Sequence, residues 1–391
     1  MSLAQGSKKK EPKDGPIRVM LVDDSAIIRG LFARILEADS GIEITATAAN
    51  GAQAIKSLPR SCAEVVVLDI EMPVMDGLTA LPQILDCDPH VKVIVASTLS
   101  QRNAQISFKA LKAGATDYIP KPTSTGEIHS GGDFRRELLE KVKALGAAYR
   151  RETSAAPAAS SGSRVSEFAR VGAKSGGIED SPLLTFQTQN FALRKQVPKQ
   201  AEIVAIGSST GGPQALLALL RDLDSSIKVP ILITQHMPAT FTTILAEHIT
   251  KASGRRCTEA VDGEFIETGR IYVAPGNWHM TVEIENGRKV VRLNQDPPIN
   301  FCRPSVDPML KSLAEVYQGR VLAVILTGMG QDGLGGGETI VDMGGVVIAQ
   351  DEATSVVWGM PGAVANAGIC SAVLSLTNLS DYIVEFPKRV A

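Results

Sequence analysis

The stretch that most restricts this chain is one that cannot fold by itself: "RETSAAPAASSGSRVSEFARVGAKSGGIEDSP", residues 151–182. Ala, Ser and Gly dominate it and large apolar side chains are sparse, so it cannot bury enough surface to offset the entropy of ordering its backbone. It divides a 391-residue chain, already too long for one ordinary core, into two parts that must each build their own. The sequence therefore reads as a charged, disordered tail over 1–15, a first unit over 16–149, a linker over 150–199 and a second unit over 200–391.

Both units show the same texture. In the first, the short apolar runs "IRVMLV", "IEITATA", "EVVVLDI", "VKVIVAS" and "TDYIP" alternate with longer helical patterns, and an amphipathic helix follows in "FRRELLEKVKALGAAYR". That alternation predicts an α/β fold with a parallel sheet. The second unit repeats the pattern with "EIVAIG", "VPILITQH", "RIYVAP", "RVLAVILTG" and "GGVVIAQD", which predicts another doubly wound parallel α/β domain. The two are not copies of one another, and no fixed-period repeat is present.

Composition removes several functional classes. Forty Lys+Arg against 42 Asp+Glu leave a formal net charge of -2, so no global footprint for nucleic acid or an anionic membrane exists. Five cysteines stand singly with no C-x-x-C pair, which argues against a disulfide framework or a zinc site and fits a reducing cytoplasm. The tail has charge without an apolar core, and no stretch offers about 18 uncharged apolar residues for a membrane span.

In the first unit, polar side chains gather at predicted strand ends, where open α/β sheets place their ligands. "LVDDS" brings Asp23 and Asp24 after the first strand, and "VVLDIEMPVMDG" brings Asp69 after the third. Clustered carboxylates repel unless a hard cation lies among them, and oxygen ligands with room for water suit Mg²⁺. Ser97 ends the fourth run and Lys121 the fifth, so hydroxyl, ammonium and metal would together cradle a phosphoryl group carried by Asp69.

These residues, in this order, resemble the receiver domain of bacterial two-component response regulators over about residues 17–140. The resemblance implies a flavodoxin-like fold of five parallel strands and phosphotransfer from a histidine kinase to Asp69. It also implies Mg²⁺ held by Asp23, Asp24, Asp69 and the backbone carbonyl of Glu71. Ser97 matches the hydroxyl position, Lys121 the phosphate-pairing lysine and Tyr118 the aromatic switch residue.

The second unit opens on "IVAIGSSTGGPQALLALL", a glycine-rich turn between a strand and a helix. Such a turn can hold a phosphate on its backbone N–H groups. It also matches the G-x-S-x-G elbow that lifts a serine, here Ser209, above a sheet. A serine nucleophile needs a base, and His236, closing "VPILITQH", falls on the same sheet edge if the strands run parallel. His279 is a second candidate, and His248 in "FTTILAEHIT" reads as a surface residue. Asp332 follows an apolar strand in "VILTGMGQDG", while Asp296, Asp307 and Asp351 compete with it on sequence alone.

The order Ser209, His236, Asp332 departs from the α/β-hydrolase order. The segments "AIGSSTGGPQAL", "LITQHMP", "APGNWHM", "RPSVDPM", "VILTGMGQDG" and "VVWGMPGAV" instead resemble the chemotaxis protein-glutamate methylesterase catalytic domain over about residues 200–388. That resemblance implies a serine hydrolase, without a cofactor in its active site, that releases methanol from glutamate methyl esters on chemoreceptor cytoplasmic domains. Some members also deamidate receptor glutamines. By motif, Ser209 is the nucleophile, His236 the acid/base and Asp332 its orienter, with Ser208 a bystander. Backbone N–H groups at Met329 and Thr210 are the oxyanion donors. With the receiver upstream, it implies phosphorylation-activated adaptation in the cytoplasm, the receiver covering the catalytic face until Asp69 is phosphorylated.

The alternative from another class is a response regulator whose second unit binds a ligand or partner without catalysis, using its Gly-rich loops for phosphate. It expects an acidic ribose-binding residue after a further strand, and "VPILITQH" ends without one. A DNA-binding output would need a basic recognition helix, which is missing.

Overall fold

The computed structural model describes residues 15–98, 100–122, 132–155, 192–194, 200–223 and 227–386. Most of the expected tail, most of the expected linker and His129 lie outside the described residues.

The first unit runs β1 (Ile17–Val22), α1 (Ala26–Glu37), β2 (Ile42–Ala48), α2 (Gly51–Ser61), β3 (Val65–Asp69), α3 (Gly77–Cys87), β4 (Lys92–Ser97), α4 (Gln101–Lys112), β5 (Asp117–Pro120) and α5 (Gly132–Ala155). All five strands pair in parallel in the order β2-β1-β3-β4-β5. Every residue of β3 is buried, which is why "VVVLD" is continuously apolar up to its terminal Asp: a strand covered by helices on both faces has no solvent side to make polar. Helix α5 continues to Ala155, past Tyr149, where the sequence places the end of this unit.

The second unit runs β6 (Ile203–Ser208), α6 (Gly212–Arg221), β7 (Ile231–Gln235), α7 (Ala239–Ser253), β8 (Cys257–Glu259), β9 (Ile271–Val273), β10 (His279–Glu285), β11 (Arg288–Asn294), α8 (Val306–Tyr317), β12 (Val321–Ile325), α9 (Leu334–Asp342), β13 (Val346–Gln350), α10 (Met360–Asn366), β14 (Cys370–Leu374) and α11 (Leu376–Glu385). Its sheet has seven strands in the order β14-β13-β12-β6-β7-β9-β8, all paired in parallel. From β6 the chain winds one way through β7, then returns to the other side of β6 at β12. That reversal opens a crevice at the carboxyl ends of β6 and β12, where an open α/β sheet binds its ligand. The same rule puts the crevice of the first sheet between β1 and β3.

The sheet exceeds the five strands expected, because β8 and β14 are short edge strands with weak apolar signals. An antiparallel hairpin, β10 with β11, is also additional. Its turn is Asn286-Gly287, both at positive φ (49° and 76°), the geometry that lets a two-residue turn follow the twist of its strands.

The two units pack together. Helix α4 lies against α7, and one buried apolar cluster runs from Phe108 and Tyr118 into Phe241, Ile244 and Leu245. On the other side, Met329, Val356 and Val357 of the second unit pack with the cluster formed by β1, α1 and α5. Among the described residues no helix is long and apolar enough to cross a membrane.

Candidate active site

Ser209, His236 and Asp332 follow β6, β7 and β12, three neighbouring strands of one sheet. Parallel pairing brings the turns after them to one edge: the His236 N–H donates to the Ser208 carbonyl at 3.1 Å, and the Ser209 N–H donates to the Thr327 carbonyl at 3.0 Å. Gly328 makes the approach possible, since a Cβ there would lie 2.9 Å from the Ser209 Cβ. The turns that carry the three residues thus meet at the topological switch.

His236 Nε2 and Asp332 Oδ2 are 2.7 Å apart. Asp332 is buried, and a dense set of donors satisfies it: the Ser305 hydroxyl at 2.7 Å, the Val306 N–H at 2.7 Å, the Gly333 N–H at 3.0 Å, and the Asp307 N–H and Asn300 Nδ2 at 3.2 Å. Burial alone raises its pKa, but His236, Val306 and Ser305 outweigh that and hold the carboxyl down at about 2. Asp332 is therefore an anion at neutral pH, and Nε2 carries the proton donated to it. The other ring nitrogen, Nδ1, faces Cys302 Sγ at 3.3 Å. Burial disfavours charge on His236, yet Cys302 and Asp332 together pull the imidazole up to about 10. Among the described residues no hydrogen bond joins the Ser209 hydroxyl to His236.

The competing acids and histidines separate by position. Asp307 lies beside Asp332 and accepts from the N–H groups of Gly336 and Gly333 at 2.7 and 3.1 Å, which makes it an anchor of the α9 turn. Asp351 caps Thr354, and the N–H of Asp296 donates to Asn294 Oδ1, so neither shares the Asp332 network. His279 is buried, accepting from the Ser305 N–H through Nδ1, with Nε2 3.3 Å from the Pro297 carbonyl. His248, expected at the surface, stacks on Phe108 with ring centroids 5.2 Å apart, because α7 is covered there by α4 of the first unit.

Two residues that sequence reasoning did not single out organise the site. Gln235, buried at the end of β7, accepts from the Ser208 hydroxyl at 2.6 Å. Its Nε2 donates to the Ser209 carbonyl at 2.9 Å and the His236 carbonyl at 3.2 Å. It thus clamps the backbones of Ser209 and His236, a role no motif announces. Cys302 is the other, and its only sequence signal is position within "NFCRPSVD".

At the expected oxyanion positions, Thr210 is buried with its carbonyl accepting from the Thr327 hydroxyl at 2.9 Å. Gly211 follows at φ 76°, a left-handed turn that leads directly into α6. The Met329 side chain packs toward the first unit.

In the first unit, carboxylate oxygens of Asp23, Asp24 and Asp69 all lie within 4.8 Å of one another. Lys121 Nζ bridges two of them, 2.6 Å from Asp23 Oδ2 and 2.7 Å from Asp69 Oδ1. Burial raises the Asp69 pKa, while Lys121 and the Glu71 N–H oppose the rise. Ser97 lines the same cleft with its hydroxyl 2.8 Å from that of Ser107. A Cβ on Gly77 would fall 2.1 Å from the Asp69 carbonyl oxygen, so only glycine fits there. Tyr118 is buried and points into the interface between the units rather than into solvent.

Residues 204–383 match the CheB methylesterase family and residues 19–131 the response regulator receiver domain. The chain is 53% identical to protein-glutamate methylesterase/protein-glutamine glutaminase 1 of Paramagnetospirillum magneticum, covering 97% of this chain and 98% of that one. It is 52% identical to the protein of the same name from Rhodospirillum rubrum over the full length of both. A protein-glutamate methylesterase/protein-glutamine glutaminase of Azospirillum brasilense is 54% identical, covering 96% of this chain and 94% of that one. Two matched domains and full-length likeness agree with the two sheets and their crevices: the chain belongs to the CheB family of protein-glutamate methylesterases that carry a response regulator receiver domain.

Proposed function

We propose that this chain is a cytoplasmic, phosphorylation-controlled serine hydrolase that removes methyl groups from glutamate γ-esters on chemoreceptor cytoplasmic domains and deamidates receptor glutamines. The observation that carries this reading is the His236–Asp332 pair at 2.7 Å on the sheet edge where the Ser209 turn ends β6.

In the reaction His236 accepts the Ser209 proton as the serine oxygen attacks the γ-carbonyl. Because Asp332 holds Nε2, the accepting nitrogen is Nδ1, so Cys302 must yield that nitrogen to Ser209 before turnover, and with it goes the largest pull that keeps a second proton on the ring. The oxyanion is met by the backbone N–H groups of Met329 and Thr210. His236 then returns the proton to the leaving methoxide, giving methanol, or to the leaving amide nitrogen, giving ammonia. Water, deprotonated by the same imidazole, releases the glutamate and restores Ser209. Asp332 stabilises the imidazolium throughout.

Control resides in the first unit. Its carboxylates fit a hard divalent cation: Asp23, Asp24 and Asp69 would hold Mg²⁺ with the Glu71 carbonyl, and the ion would offset charge as a histidine kinase delivers its phosphoryl group. Lys121 pairs with the phosphorylated Asp69, and Ser97 donates its hydroxyl to the new oxygens. The unphosphorylated receiver packs against the catalytic unit through Tyr118, Phe108 and α5. Phosphorylation releases that contact, and a shift of a few kcal/mol suffices.

The test is methanol release from a methylated receptor fragment by wild type and Ser209→Ala, each with and without a small-molecule phosphodonor. The wild type should respond to phosphodonor, and the variant should lose activity in both conditions. Full activity in Ser209→Ala would show that the nucleophile lies elsewhere.

A further inference from the structure

The second face of the catalytic imidazole is occupied by sulfur. Cys302 Sγ lies 3.3 Å from His236 Nδ1, and Asp332 holds the opposite nitrogen at 2.7 Å. A nucleophile, a base within reach and a carboxylate orienting that base are the parts that activate a thiol. A ring nitrogen 3.3 Å away is placed to take the thiol proton, and the thiolate is the reactive form.

The remaining cysteines supply an internal contrast. Cys257 and Cys370 are buried, and burial pushes both thiols up to about 12, which leaves them inert. Cys62 and Cys87 are exposed, but neither bonds to a histidine among the described residues. Cys302 combines partial exposure with a base. Its neighbour Phe301 is 73% exposed, so the loop opens to solvent on that side.

From this geometry we propose that Cys302 is a modification site, a thiol primed by His236 that reacts with hydroperoxides and whose oxidation switches the hydrolase off. The thiolate attacks one peroxide oxygen; the S–O bond forms as the O–O bond breaks. Sulfur is oxidised by two electrons to the sulfenic acid, and the peroxide is reduced. The departing hydroxide takes the proton from the His236 imidazolium and leaves as water. The sulfenic hydroxyl then stands at Nδ1, the nitrogen that Ser209 has to reach, and a thiol reductant restores the starting state. The switching half rests on the esterase reading; the reactivity of Cys302 does not.

The experiment treats the full-length protein at neutral pH with hydrogen peroxide and dimedone, and follows each cysteine by peptide mass. Cys302 should be labelled at least about tenfold faster than Cys62 or Cys87, as expected of a thiol with a base 3.3 Å from its sulfur. His236→Gln should bring it to their rate. Methanol release should fall in step with Cys302 oxidation and return with dithiothreitol, while Cys302→Ser keeps its own untreated rate after peroxide. Labelling of wild-type Cys302 no faster than Cys62 and Cys87 would overturn the proposal without recourse to any variant. Full activity after complete oxidation of Cys302 would overturn the switch. Ser209→Ala should leave the labelling rate unchanged, so failure of the esterase reading is seen separately.

Discussion

The ring of Tyr118 lies on that of Phe241, centroids 4.3 Å apart and planes 11° from parallel. Tyr118 belongs to β5 of the receiver sheet, and Phe241 lies in the first turn of the helix that follows His236. Phe108 adds a second receiver ring 6.2 Å from Phe241. A movement of Tyr118 thus acts directly on the element that leads out of His236. An aromatic pair contributes about 0.5–1.5 kcal/mol beyond its buried area, which sets the scale of what this stack adds to the closed arrangement.

Phe241→Leu keeps an apolar side chain of similar size but removes the stack. It should raise methanol release without phosphodonor by about two- to tenfold. The ratio of stimulated to unstimulated rate should shrink accordingly. Measuring both rates on the same preparation decides the matter: an unchanged ratio would mean that Phe241 merely fills the core.

Gln235 offers a test of positioning. Gln235→Leu leaves the Ser208 hydroxyl and the Ser209 and His236 carbonyls without their shared partner. Stability should fall by about 1–3 kcal/mol. Displacement of Ser209 and His236 should lower kcat by roughly 10- to 100-fold with little effect on KM. Gln235→Glu, which keeps an acceptor for Ser208, should recover part of that loss. A folded Gln235→Leu protein with wild-type kcat would rule the clamp out.

The parallel sheets were legible because strands buried on both faces must be continuously apolar, as in "VVVLD" and "VLAVI", and because polar residues can appear only where such a strand ends. Asp69 ends β3 and His236 directly follows β7, as that logic requires. The same logic missed β8 and β14, since a three-residue strand and a half-buried edge strand carry little apolar periodicity. The β10–β11 hairpin has its signal in Asn286-Gly287, but that two-residue turn is set between stretches of stronger α/β patterning. Gln235, Asn300 and Cys302 were invisible for a different reason. Their roles depend on segments up to 66 residues apart meeting in the fold, and an ordinary Gln, Asn or Cys carries no spacing signature for such a meeting.

At the receiver, Asp69→Asn removes the acceptor carboxylate while conserving volume. The response to phosphodonor should disappear, giving a stimulated-to-unstimulated ratio of about one, because the switch depends on new charge at this position. Unstimulated methanol release should persist, since the catalytic crevice lies in the other sheet. Loss of both activities in a folded protein would place Asp69 in the hydrolysis itself.

Asp332 supplies the pH test. Its carboxyl is held at about 2, below its ordinary value of 3.8. The folded pKa is lower than the unfolded one, so the stabilisation is complete above about pH 5 and is lost as pH falls through the unfolded value toward about 2. A depression of this size corresponds to about 2 kcal/mol. Asp332→Asn cannot titrate and leaves His236 without its anion, so near neutral pH it should be less stable by about 3–5 kcal/mol. On acidification the wild type alone gives up the Asp332 contribution, and the gap between the two proteins should narrow by about 2 kcal/mol between about pH 5 and pH 2. Urea midpoints of both proteins across that range measure the gap. If it stayed constant, Ser305, Val306 and His236 would not be holding the Asp332 charge in the folded state.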